Sequence, residues 1–148
     1  MLIPLMLGTR KLIDSAYMPI VARILEDPCA LGLIGGRPKH SIYVCGYQHK
    51  QLIVLDPHFT QPVVDVGSEQ FPIKSWHCPV PKLMRMSRLD PSCAVGFYCR
   101  TRGELSDLLD RLPSLFTPDQ PSPLCSTLVE VFIGSGPDSC PANINTNS

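Results

Sequence analysis

The chain has 148 residues, with 13 Lys and Arg against 13 Asp and Glu, and only 18% of it is charged. A balanced charge, with charged content below the roughly 25% of an average soluble domain, excludes a strongly basic nucleic-acid surface. The 44% hydrophobic content excludes disorder throughout, and 16 prolines, about twice the usual share, exclude a mostly helical bundle.

Leu2 to Leu7 is an apolar run interrupted by Pro4 and stopped by Gly8. No Lys or Arg precedes it and no small-residue cleavage pattern follows, so it reads as a short strand rather than a signal peptide. Tyr17, Ile20, Val21, Ile24 and Leu25 then recur on one helical face. Asp14 as a cap and Pro19 as a first-turn residue are alternative starts for that helix, and Asp27-Pro28 ends it. Three runs rich in β-branched and aromatic residues follow, Leu31–Ile34, Ser41–Tyr47 and Gln51–Leu55, separated by Gly35-Gly36-Arg37-Pro38 and by His49-Lys50. They predict adjacent strands, the last two a hairpin. Val63–Val66 suggests a short edge strand, Pro72–Pro81 an ordered loop, and Ala94–Cys99 a further strand. Thr101-Arg102-Gly103-Glu104 has capping-box spacing ahead of Leu105, Leu108, Leu109 and Leu112, which predicts a helix ending at Pro113. The expected class is α+β with a largely antiparallel sheet over residues 1–112. Residues 113–148, rich in Pro, Ser, Thr and Asn, read as a mostly disordered tail in which only Leu124–Ile133 is strand-like.

No run approaches the roughly 20 apolar residues of a membrane span. The seven cysteines are odd in number and irregularly spaced, and several sit in apolar runs, which fits buried reduced thiols and a cytoplasmic protein better than a disulfide framework. Neither a Cys-x-x-Cys nor a His-x-x-x-His pair occurs, so no metal site is expected. No cofactor is expected either, because the glycines from Gly32 to Gly36 lead into a strand and not into the helix that a dinucleotide loop requires. The chemical candidate is Asp56-Pro57-His58. Residues two apart in an extended chain project to one side and Pro57 stiffens the link, so the carboxylate can orient the imidazole; the plain alternative is a strand-ending turn.

Leu31-Gly-Leu-Ile-Gly-Gly-Arg-Pro38, Tyr43-Val-Cys-Gly-Tyr47 and Leu55-Asp-Pro-His-Phe-Thr-Gln-Pro62 together resemble the signature block of the autophagin family. These are thiol peptidases of autophagy that process and release a ubiquitin-like modifier. Trp76-His77-Cys78, Met84–Ser92 and Val95–Cys99 are similar to segments that follow in the same order, and the resemblance spans Leu2–Leu112. It implies a papain-like fold in which a cysteine attacks the carbonyl after the modifier's C-terminal glycine and water hydrolyses the acyl-enzyme. It further implies His58 as general base, Asp56 as the carboxylate that orients it, and Gly35, Gly36, Arg37 and Pro38 as a flexible loop covering the catalytic centre until substrate displaces it. The implied partners are the modifier and its lipid conjugate, with transient contact with autophagic membranes. In this family the nucleophile precedes Asp-Pro-His by a long stretch, at a helix start. Neither Cys29 nor Cys45 lies in that context, and Cys45 is expected in the core. The chain is therefore expected to be the C-terminal half of such a domain, lacking the nucleophile. The alternatives are a non-catalytic modifier-binding fragment and a product that does not fold stably alone.

Overall fold

Among the described residues, alternating apolar residues build six strands: β1 (Leu2–Met6), β2 (Ala30–Arg37), β3 (His40–Gln48), β4 (Gln51–Leu55), β5 (Lys82–Arg85) and β6 (Ser92–Phe97). The computed structural model describes residues 1–9, 13–37, 40–119, 128–129 and 131. The strands form one sheet in the order β1-β6-β2-β3-β4-β5, with every neighbouring pair antiparallel. Among the described residues two α-helices, α1 (Met18–Glu26) and α2 (Arg102–Phe116), complete the α+β architecture. Ile20, Val21 and Ile24 of α1 and Leu108, Leu112 and Phe116 of α2 join Leu33, Val44, Leu52, Val95 and Phe97 of the sheet in a single core. Each such side chain contributes about 1.5–3 kcal/mol of burial free energy.

Both expected starts of the first helix are used. Asp14 caps a 3-10 turn at Ser15–Tyr17, its carboxylate accepting from the Ala16 N–H at 2.9 Å, and α1 continues with Pro19 in its first turn. Thr101 caps α2 by accepting from the Glu104 N–H at 3.1 Å, while the Glu104 carboxylate reaches back to the Arg100 N–H at 2.6 Å.

Four expectations require correction. Pro113 does not end α2: the helix runs to Phe116, whose buried ring meets Phe97 edge-on with centroids 6.4 Å apart. That packing, and an Arg23 contact to Asp119 and the Thr117 carbonyl, outweigh the hydrogen bond that proline removes. The folded part therefore extends past residue 112, and the strand-like run at 124–133 falls almost wholly outside the described residues. Val63–Val66 is not a strand, with Val63 fully exposed, because the edge of β4 is occupied by β5. Strand β2 does not stop at Ile34, since Gly35, Gly36 and Arg37 pair with Ile42, Ser41 and His40. Cys45 and Cys78 are exposed rather than buried, and only Cys93 among the described thiols is buried.

Cys45 lies outside the core because of the pairing of β3 with β4. The hairpin turns at His49-Lys50, both in the left-handed region at φ 47° and 65°, and pairs Gln48 with Gln51, Tyr47 with Leu52 and Gly46 with Ile53. Beyond a bulge at Cys45 the register moves by one, to Val44 with Val54 and Tyr43 with Leu55.

The sheet's other face is apolar and open. Leu2, Met6, Leu31 and Ile34 are each at least half exposed. Leu2 and Leu31 meet over Gly96, and Ile34 pairs with Tyr43, so they form one surface across β1, β6, β2 and β3.

Candidate active site

Strand β4 buries Leu52 and Val54 on the core side, and the same alternation carries Asp56 to that side just past the strand end. The Asp56 side chain is only 10% exposed. One of its oxygens, Oδ1, accepts from the His58 backbone N–H at 3.1 Å and lies 2.8 Å from His58 Nδ1. The Asp-Pro-His spacing therefore brings carboxylate and imidazole together in the way that the tripeptide predicted.

The other oxygen, Oδ2, is shared by two groups that motif reading did not single out. His40 Nε2 lies 3.2 Å from it and Lys82 Nζ donates to it at 3.4 Å. The register predicts the first of these. Carrying the pairing of Tyr43 with Leu55 outward sets Ile42 beside Asp56 and His40 beside His58, and the two imidazoles stack with centroids 4.0 Å apart and planes 17° apart. Lys82 comes from β5 and also covers the Phe59 ring at 4.2 Å. A cavity of about 550 Å³ opens beside this cluster, lined by Ile42, Val54, Asp56, Lys82, Met84 and Arg88 among others.

The electrostatics set the protonation pattern. The His58 backbone N–H, then the His58 ring, His40 and Lys82 hold the Asp56 carboxyl well below the usual carboxylate range, although burial opposes them. A carboxylate only accepts, so His58 Nδ1 and His40 Nε2 both carry hydrogen. In the neutral ring that tautomer makes His58 Nε2 the proton acceptor, and the ring is about half exposed.

His40, Asp56 and His58 bring their ligand atoms within 4.8 Å of one another. A metal ion must lie in the plane of each imidazole that binds it. Two nearly parallel stacked rings offer no common point at bonding distance, and the Lys82 ammonium stands on the same oxygen. The cluster fits hydrogen bonding and proton transfer better than it fits cation binding.

Among the described residues, no cysteine is hydrogen-bonded to His58. Burial and the nearby Asp90 push the Cys93 thiol up to about 12, which keeps it protonated and inert. Burial also raises the Cys99 thiol, helped by its hydrogen bond with Cys29. Cys45 Sγ donates to the Ile53 carbonyl at 3.5 Å. Of the four residues expected in a covering loop, Gly35, Gly36 and Arg37 belong to the paired end of β2, and Pro38 lies outside the described residues.

Residues 1–111 match the family model described as the peptidase C54 catalytic domain. The chain belongs to the peptidase C54, or autophagin, family. It is 45% identical over 107 residues to "Cysteine protease atg4da" of Danio rerio, covering 72% of this chain and 22% of that protein. It is 44% identical over 99 residues to "Cysteine protease ATG4C" of Homo sapiens, covering 67% of this chain and 21% of that protein. It is 34% identical over 150 residues to "Cysteine protease ATG4" of Medicago truncatula, covering 100% of this chain and 29% of that protein. The chain thus spans between about a fifth and a third of these relatives. Among the described residues no helix is long and apolar enough to cross a membrane.

Proposed function

We propose that this chain supplies the base and its orienting carboxylate to a cysteine peptidase. That peptidase cleaves after the C-terminal glycine of a ubiquitin-like autophagy modifier, both in precursor processing and in release of the lipid conjugate. The observation that carries the reading is the Asp56–His58 pair, 2.8 Å apart with Nε2 left to accept a proton, in a chain of the C54 family. His58 Nε2 takes the proton of a cysteine thiol, and the imidazolium is held by the Asp56 carboxylate. The thiolate adds to the glycine carbonyl, the leaving amine takes the proton back from His58, and a thioester remains. Water, deprotonated by the same nitrogen, then cleaves the thioester and regenerates the thiol.

The nucleophile in this proposal comes from a segment beyond residues 1–148. The open apolar face formed by Leu2, Met6, Leu31 and Ile34 supports this, since exposed surface of that kind is suited to packing against further protein. Gly35, Gly36, Arg37 and Pro38 gate access to the centre. Action is cytoplasmic, with transient approach to membranes bearing the conjugate. The second reading, a modifier-binding fragment without catalysis, is favoured by one observation: no described thiol is hydrogen-bonded to His58.

The test compares the chain alone with the chain joined to the remainder of a C54 cysteine protease, on a C-terminally extended modifier. The chain alone should not cleave, and the joined protein should cleave in a manner abolished by His58→Ala. Cleavage by the chain alone that vanishes with Cys29→Ala, Cys45→Ala or Cys78→Ala would place the nucleophile inside it. Binding without cleavage by the joined protein would leave the second reading standing.

A further inference from the structure

We infer that His40 is a positioning residue for the Asp56–His58 pair: its Nε2–H fixes the second carboxylate oxygen while its ring backs the imidazole that moves the proton. The inference rests on the peptidase reading and deepens it.

Three observations converge on His40. Its Nε2 lies 3.2 Å from Asp56 Oδ2, so the two carboxylate oxygens are assigned to two different histidines and the carboxylate cannot rotate freely about its Cβ–Cγ bond. Its ring stacks on His58 at 4.0 Å and closes one face of that imidazole, so the ring cannot tilt toward that side away from Asp56. Its backbone opens β3 opposite Arg37 and its carbonyl lies against Gly36, so His40 also ties the hairpin end to the pair. Lys82 cannot substitute. It reaches the same oxygen at 3.4 Å from a flexible, exposed side chain that carries no ring.

The role is distinct from catalysis. His40 presents to Asp56 the nitrogen that carries its hydrogen, and it touches no reacting atom in the mechanism above. Its effect should therefore fall on turnover and on the His58 ring rather than on substrate affinity.

The test uses the joined protein described above with His40→Ala, His40→Gln and His40→Phe. Steady-state cleavage is measured together with the downfield proton resonance of the His58 Nδ1–H. His40→Ala should lower kcat about 10- to 150-fold, the range for removing one hydrogen bond to a charged group, with KM within about twofold. The Nδ1–H resonance should broaden or shift. His40→Gln, which keeps a donor, should recover most of the loss, and His40→Phe, which keeps only the ring, should recover little. Equal changes in kcat and KM with an unmoved resonance would reduce His40 to a surface-shaping residue. Recovery by Phe but not by Gln would assign the effect to ring packing and overturn the hydrogen-bonding role. Failure of the peptidase reading is separately visible, because the resonance reports on His40 whether or not the protein cleaves. The near-isosteric Gln and Phe variants remain informative if His40→Ala does not fold.

Discussion

The carboxylate of Asp27, buried at the C-terminal end of α1, is gripped by Arg111 of α2 across 84 residues of sequence, Nε at 3.1 Å and Nη2 at 3.3 Å. It also accepts from the Cys29 N–H at 2.9 Å, so one buried charge fixes the helix end, the entry to β2 and the second helix. Removing only the cation strands that charge. Arg111→Met should destabilise by about 2 kcal/mol, below the range for fully buried pairs because Arg111 is part-exposed. Asp27→Asn, which keeps an acceptor, should cost less. Denaturant midpoints of the two variants decide the order, and negligible losses in both would mean that the pair contributes no more than surface charge.

Phe116 lies beyond the family match at residue 111 yet is fully buried. Phe116→Ala should cost about 3–5 kcal/mol, and truncation after Leu112 should cost at least as much. An unfolding transition unchanged by either would show that α2 ends functionally at Pro113.

The pH dependence of Asp56 has a definite sign. Its folded carboxyl titrates below the usual range, so its contribution to stability is complete above the unfolded value of roughly 3.9 and is lost as pH falls below that toward the folded value. The parent should therefore be more stable than Asp56→Asn at neutral pH, and the gap should close in the acid range below about pH 4. Urea unfolding at a series of pH values measures the gap, and a gap that persists undiminished into strong acid would contradict the assignment.

In the joined enzyme, His58→Ala should lower kcat on the order of 10³ to 10⁶, because the base acts as one unit with its nucleophile. Asp56→Asn should cost less, about 10² to 10³, since an amide still orients the ring. Single-turnover cleavage of the modifier precursor gives both values. An Asp56→Asn loss equal to or larger than that of His58→Ala would return the tripeptide to an ordinary turn.

Gly36 has φ 127°, and a Cβ there would stand 2.6 Å from the His40 carbonyl oxygen and 2.8 Å from the Ile42 nitrogen. Gly36→Ala should cost about 2 kcal/mol through the left-handed backbone and this clash, and should lower turnover as well, because the displaced strand carries His40. Stability loss with unchanged kcat would separate the hairpin end from the chemistry.

The residues divide clearly into those that announced themselves and those that did not. Alternation placed β3 and β4, the Thr101–Glu104 spacing placed the start of α2, and Asp-Pro-His declared its own geometry, since each of these is a local rule. Lys82 was hidden because Lys82–Arg85 has only two apolar residues and lies just beyond a proline-flanked stretch. Its pairing with β4 is a tertiary fact. Val63–Val66 had the better strand composition, but the edge of β4 is taken by β5. Pro113 misled for the same reason: the Phe97 ring that holds the helix beyond it is 16 residues upstream of it. His40 was latent in the sequence, visible only once the register of the hairpin is known.

The bulge at Cys45 makes that hairpin a vernier. Counted from the His49-Lys50 turn without it, Ser41 would stand opposite His58, and the imidazole would face a hydroxyl with no ring to stack. A slip into that phase would also swing Ile42 and Val44 out of the core and Tyr43 into it. Greasy side chains several residues away thus choose which polar side chain meets His58, and the fidelity of the polar centre is underwritten by oil.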